Sequence, residues 1–121
     1  MLKPLQIILI TALMLSSCDF FDFQKKTNIR FADQHFKTAI AHIELYKIRY
    51  GHYPETLAEL SFLGDWDKGI QQNVSYEKLD TGYRLDIIKK KSGGTLTELQ
   101  YPKAFWQGTG VKESNLINYN Q

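Results

Sequence analysis

Between Phe31 and Leu60 the chain reads FADQHFKTAIAHIELYKIRYGHYPETLAEL, and no other stretch narrows the possible folds as much. Phe36, Ala39, Ile40, Ile43, Tyr46 or Lys47, and Tyr50 recur every three or four residues, the repeat of a helix with one buried side. Gly51 can take the left-handed conformation that closes a helix, and Pro54 cannot continue the ladder. The spacing predicts a helix from Ile29 or Asp33 to Tyr50, with Asn28 or Asp33 as its N-cap. Lys47 and Arg49 fall where the helix dipole favours cations. Thr56-Leu57-Ala58-Glu59 has the form of a capping box opening a second, short helix. A helix of roughly 20 residues is marginal on its own, so it needs a surface to cover.

That surface is legible downstream. Val74, Tyr76 and Lys78 alternate with Ser75, Glu77 and Leu79, Asp80-Thr81-Gly82 supplies a turn, and Tyr83, Leu85 and Ile87 alternate with Arg84, Asp86 and Ile88. This is the pattern of a hairpin. Lys89-Lys90-Lys91-Ser92-Gly93-Gly94 reads as a second turn, its lysines guarding a sheet edge. Thr95 to Tyr101 is expected as a third, antiparallel strand, broken by Pro102. Phe62, Leu63 and Trp66 are expected to close the core, and Thr109 to Gln121 to fray or lap over the sheet. The fold class is α+β, a long N-terminal helix packed on a small three-stranded antiparallel sheet. The domain is expected over 29–106, with a polar tail over 107–121.

With 121 residues there is room for one core. Composition is ordinary, at 43% hydrophobic and 23% charged residues, so neither disorder nor a fibrous repeat is indicated. A net charge of +2, with no single strongly basic element, argues against a nucleic-acid partner.

The first residues follow a different logic. Lys3 and the apolar run Leu5–Leu15 have the form of a signal peptide over 1–17, too short for a permanent span of a hydrocarbon layer ~30 Å thick. Leu15-Ser16-Ser17-Cys18 resembles the lipobox of bacterial lipoprotein precursors, and the one cysteine of the chain stands where that motif needs it. The resemblance implies cleavage before Cys18, acyl chains such as palmitate on that residue, and a domain held in the periplasm at the cell envelope membrane. The plainer alternatives are an ordinary secretory peptide with an incidental cysteine, or an uncleaved anchor. With Cys18 lipidated no thiol remains for a disulfide, and 14 basic and 13 acidic groups are left after residue 17. By resemblance to enterobacterial lipoproteins, Asp19 favours inner-membrane retention. Residues 18–28 are expected as a tether. Phe20, Phe21 and Phe23 either dip into the bilayer interface, with Lys25 and Lys26 facing anionic headgroups, or pack on the domain's edge.

Catalysis needs a nucleophile or an acid–base pair within hydrogen-bond reach, and none is visible. His35 and His42 share a helix side but stand ~10 Å apart along its axis, too far to share a metal. His52 reads as a turn histidine. Asp65-x-Asp67-x-Gly69 looks like the start of a calcium loop, yet Glu77 lies one residue beyond the position that would complete it. A structural turn is the simpler reading, and Glu55, Glu59 and Glu77 form no evident pair. The chain is therefore expected not to be an enzyme and to need no cofactor. Seven tyrosines, seven phenylalanines and two tryptophans exceed what a small core requires. Tyr46, Tyr53, Trp66, Tyr101 and Trp106 are the candidates for a protein-binding face, with core duty the alternative for each.

The order of parts carries a family resemblance. Ala39, Leu45 and Tyr46 in the helix, Gly51-His52-Tyr53-Pro54, Leu57 and Leu60, and Asp65-Trp66 with Tyr76 and Tyr83 resemble the periplasmic domain of type II secretion major pseudopilins and type IV pilin relatives over residues 30–90. The prepilin cleavage site and the long apolar helix that builds those filaments are replaced here by the signal sequence and Cys18. What the resemblance implies is a pilin-like headgroup on a lipid anchor, an accessory or binding protein linked to a secretion or pilus system through an envelope protein partner. The calcium site of that family is not carried over. The alternative is an immunity or inhibitor lipoprotein that captures a periplasmic toxin or hydrolase. Cys18→Ala should abolish incorporation of labelled palmitate; label persisting on that variant would remove the lipoprotein assignment.

Overall fold

The computed structural model describes residues 3–61, 64–88 and 99–117, with side chains except at 5–22, 25, 66 and 67. A single helix, α1, runs over Pro4–Tyr50, 47 residues and ~70 Å long. No glycine or proline interrupts the sequence between Pro4 and Gly51, and Pro4 is tolerated in the first turn, where its missing N–H costs nothing. Residues 19–28, expected as a tether, are helical, and the helix does not begin at Ile29 or Asp33. Apolar periodicity reports a buried side, and it lapses over that stretch even though the ladder continues. Thr27 Oγ1 donates to the Phe23 carbonyl one turn back at 2.8 Å, and the Phe23 ring stands exposed.

Gly51 ends α1 as expected, at φ +83°, with its N–H donating to the Lys47 carbonyl at 2.7 Å. The expected second helix is a single 3-10 turn at Leu57–Glu59. The Thr56 side chain makes no cap bond, and the Glu59 carboxylate accepts from the Glu55 N–H at 2.9 Å instead. Two one-turn helices, α2 (Asp65–Lys68) and α3 (Ile70–Asn73), lead into strand β1 (Val74–Lys78). Strand β2 (Tyr83–Ile87), helix α4 (Lys103–Gln107) and strand β3 (Val111–Glu113) complete the described chain.

The hairpin forms as its alternation demands. β1 pairs antiparallel with β2 from Val74↔Ile87 to Lys78↔Tyr83, burying Tyr83, Leu85 and Ile87 and turning Arg84 outward. The sheet is mixed, however. β3 lies on the other side of β2, parallel to it, with Tyr83 opposite Val111 and Arg84 opposite Glu113. This corrects the antiparallel sheet: β3 comes from the stretch expected as polar tail, where Val111 and Leu116 are buried. Three residues are too few to register as an alternation, so the strand left no periodic signal. Asn115 extends this edge with its side chain. Its Oδ1 accepts from the Ile87 N–H at 3.1 Å, and its Nδ2 donates to the Ile87 carbonyl at 2.9 Å. Residues 99–101 are not strand, and Pro102 precedes α4 as its N-cap residue. The rest of the expected third strand, the lysine turn, Phe62, Leu63 and the Trp66 side chain lie outside the described residues.

The core lies between α1 and the sheet. Phe36, Ala39 and Ile43 from the helix are fully buried with Ile70, Tyr83 and Leu85, and Ile40, Leu60, Val74 and Ile87 close around them. Ile43→Asp places a carboxylate in this contact with no partner for its charge. It should lower the unfolding free energy by about 4 kcal/mol or more in a denaturant titration, at the upper end for one substitution. A loss below about 1 kcal/mol would mean that this side of α1 is not packed.

Candidate functional site

One carboxylate gathers the domain's separate parts. Glu44 projects from α1 toward the sheet, and its Oε1 accepts from Tyr83 Oη at 3.0 Å, from Tyr53 Oη at 3.2 Å and from the Gly110 N–H at 2.7 Å. Its Oε2 stands 3.1 Å from the same Tyr53 hydroxyl. Helix, post-helix turn, β2 and the approach to β3 thus meet on one group. The rings pack edge to face, Tyr53 on Tyr83 at 5.0 Å between centroids, and the Lys47 ammonium sits 4.5 Å from the Tyr53 ring centre. Gly110 must be glycine, because a Cβ there would collide with the Tyr53 hydroxyl. Burial, reinforced by the neighbouring Glu44 charge, pushes Tyr53 up to about 12 and Tyr83 further.

A second junction lies nearer the middle of α1. Tyr101 Oη donates to Asp33 Oδ1 at 2.6 Å, and Lys37 pairs with the other oxygen of Asp33 at 3.0 Å. The Tyr101 ring stacks on Phe36 and on Phe105, and Trp106 meets Phe36 edge-on at 5.9 Å. Tyr101 and Trp106 also line an open cleft of about 350 Å³ with Lys103, Val111, Leu116 and Ile117.

The five aromatic residues proposed from sequence do not form one face. Tyr53 is buried, while Tyr101 and Trp106 are half-buried together and serve mainly to seat α4 on α1. The side chain of Trp66 is outside the description. Tyr46 stands apart near the C-terminus of α1, against Tyr50 at 4.5 Å and His52 at 5.7 Å between ring centres. Around it lie the exposed residues that sequence reading did not select: Leu45, 60% exposed, Ile48, 79%, and Tyr50, 55%. Periodicity had placed Tyr50 on the buried side and was silent about Leu45 and Ile48, whose neighbours are mostly polar. A cleft of about 180 Å³, lined by His42, Leu45, Tyr46, Arg49, Tyr50 and Leu60, separates this end of α1 from the 57–61 segment.

Asp65, offered from sequence as a calcium ligand, is fully exposed and lies 3.6 Å from Lys68; the Asp67 side chain is outside the description. Among the described residues no three His, Cys, Asp or Glu side chains converge on a possible metal position. His35 is buried on α1, and that burial holds it below the usual histidine range. Glu55 binds Lys78 at 2.6 Å, and this bond holds its carboxyl below the usual range. The Cys18 side chain is not described, and among the described residues no helix is long and apolar enough to cross a membrane. Comparison with protein-family models, with curated proteins and with solved structures finds no match to this chain.

Removing the Glu44 carboxylate orphans three donors at once, each bond to a charged acceptor contributing about 1.5–3 kcal/mol. Glu44→Ala should therefore cost about 3 kcal/mol or more in urea unfolding, and Glu44→Gln, which keeps one acceptor, clearly less. Equal losses would show that shape matters here rather than hydrogen bonding. Alkali offers an independent check. Tyr53 and Tyr83 stay neutral in the fold at a pH where tyrosines of the unfolded chain, near 10, have lost their protons. The unfolded state then binds fewer protons, so the tyrosines' contribution should be constant below about pH 9, and stability should fall as pH rises through 10 toward 12. A flat stability profile to pH 12 would contradict the buried placement of these hydroxyls.

Proposed function

We propose that this protein is a non-enzymatic binding protein held at the bacterial cell envelope by lipid on Cys18, serving as an accessory component of a secretion or pilus-type system. The observation that carries this reading is the contrast between the two sides of α1. One side is filled by the sheet, while the other presents Phe31, Leu45 and Ile48 to solvent. Exposed large apolar residues grouped beside tyrosine and arginine are what protein interfaces use. Three of the described carboxylates are engaged within the fold: Glu44 ties loops together, Asp33 binds Tyr101, and Glu55 binds Lys78. The lipobox resemblance supports the anchor, and the pseudopilin resemblance supports the choice of partner class. The latter is an analogy of fold, which by itself does not assign a function.

Isolation of the full chain from gently solubilised membranes is the test. The expected result is one envelope protein of a secretion or pilus system recovered in constant ratio, and lost when Cys18→Ala removes the anchor. A periplasmic toxin or hydrolase recovered in equimolar amount would instead make the protein an inhibitor. Absence of any stoichiometric companion would contradict the binding role.

A further inference from the structure

We propose that the outer side of α1 between Phe31 and Tyr50 receives an amphipathic helix rich in carboxylates, contributed by a protein partner. This rests on the binding role above and specifies the chemistry of its partner. Positions 31, 34, 38, 41, 45 and 48 follow the three-and-four spacing of a helix–helix seam, and they lie opposite Phe36, Ala39 and Ile43 in the core. Phe31, Ala41, Leu45 and Ile48 give this seam its apolar character.

The charges on α1 choose the partner. From residue 26 to residue 50 the helix carries five basic residues, Lys26, Arg30, Lys37, Lys47 and Arg49, and two acidic ones, Asp33 and Glu44. Both acids are consumed by contacts within the fold, Asp33 with Tyr101 and Lys37, Glu44 with the two tyrosines and Gly110. Arg30 and Arg49 flank the seam, are exposed, and have no acidic partner among the described residues. Glu59, on the rim of the nearby cleft, accepts from the Glu55 N–H. What the outer side offers is an apolar stripe between unpaired cations, complementary to an apolar stripe between carboxylates.

The same features disfavour other occupants. A second copy of this chain would set Arg30 and Arg49 against their own kind in either orientation. A bilayer would meet Gln34 and Thr38 in the middle of the seam. It would also leave the 180 Å³ cleft beside Leu45 and Tyr46 unfilled, a hollow that suits one protruding side chain.

Photoreactive benzoylphenylalanine placed singly at positions 48, 77 and 103 of the full chain, in the cells that make it, tests this. Position 48 lies on the seam, and positions 77 and 103 are exposed on β1 and α4. The expected result is a protein adduct at position 48 alone, mapping by mass spectrometry to a segment with glutamate or aspartate beside its apolar repeat. Arg49→Glu should reduce its yield at least fivefold with thermal unfolding unchanged, and Arg49→Lys should retain it. A lipid adduct, a self-adduct, a neutral or basic segment, or indifference to Arg49→Glu would overturn the proposal. Adducts only at position 77 or 103 would leave the binding role standing and move it off this side of α1. No adduct at any position would count against both.

Discussion

A carboxylate on the inner side of a helix sets the geometry of the domain. Glu44 holds Tyr53, Tyr83 and the Gly110 amide within hydrogen-bond distance, so the post-helix turn, the central strand and the edge strand are all referenced to one point on α1. The hydrophobic contact of Phe36, Ile40 and Ile43 with the sheet supplies most of the driving force, but apolar contact is non-directional. Bonds to a charged acceptor have direction, and they fix which loops lie over the end of the helix. Tyr83 belongs to both sets, its ring in the core and its hydroxyl on Glu44.

The parallel placement of β3 follows from that arrangement. Tyr83 donates its backbone N–H to the Gly110 carbonyl at 2.9 Å, while the Gly110 N–H is taken by Glu44. Gly110 thus bridges helix and strand with its two backbone groups. Gly82 packs so closely on it that a Cβ would strike the Gly110 carbonyl, and its φ of +83° suits the hairpin turn. Farther along, Asn115 stands in for a strand residue against Ile87, so a three-residue strand is secured at both ends.

Much of this frame could be read from residues, and the part that could not has a common cause. The buried side of α1, its end at Gly51 and the Val74–Ile87 hairpin each repeat a local pattern several times, and patterns of that kind survive in sequence. β3, Asn115 and the role of Glu44 depend on partners far away along the chain. Glu44 sits 66 residues from Gly110, and nothing in its neighbours marks it out. The hydroxyls of Tyr53 and Tyr83 were the available hint, since buried tyrosines need an acceptor. Of the candidate binding residues whose side chains are described, Tyr46 alone lies near the apolar exposure at the end of α1. Leu45 and Ile48 escaped selection because exposure is a property of what fails to cover a residue, which a sequence does not record.

The two sides of α1 differ in what they carry. Its inner side spends both acids of the 26–50 stretch on internal ties, and its outer side is left apolar and cationic. Amide hydrogen exchange at Gly110, measured by NMR in the parent protein and in Glu44→Ala, tests that organising role most directly. Gly110 should exchange slowly in the parent and at least a hundredfold faster in the variant, with the amides of Leu85 and Ile87 less affected. Equal exchange at Gly110 in both proteins would contradict the central place given to the carboxylate.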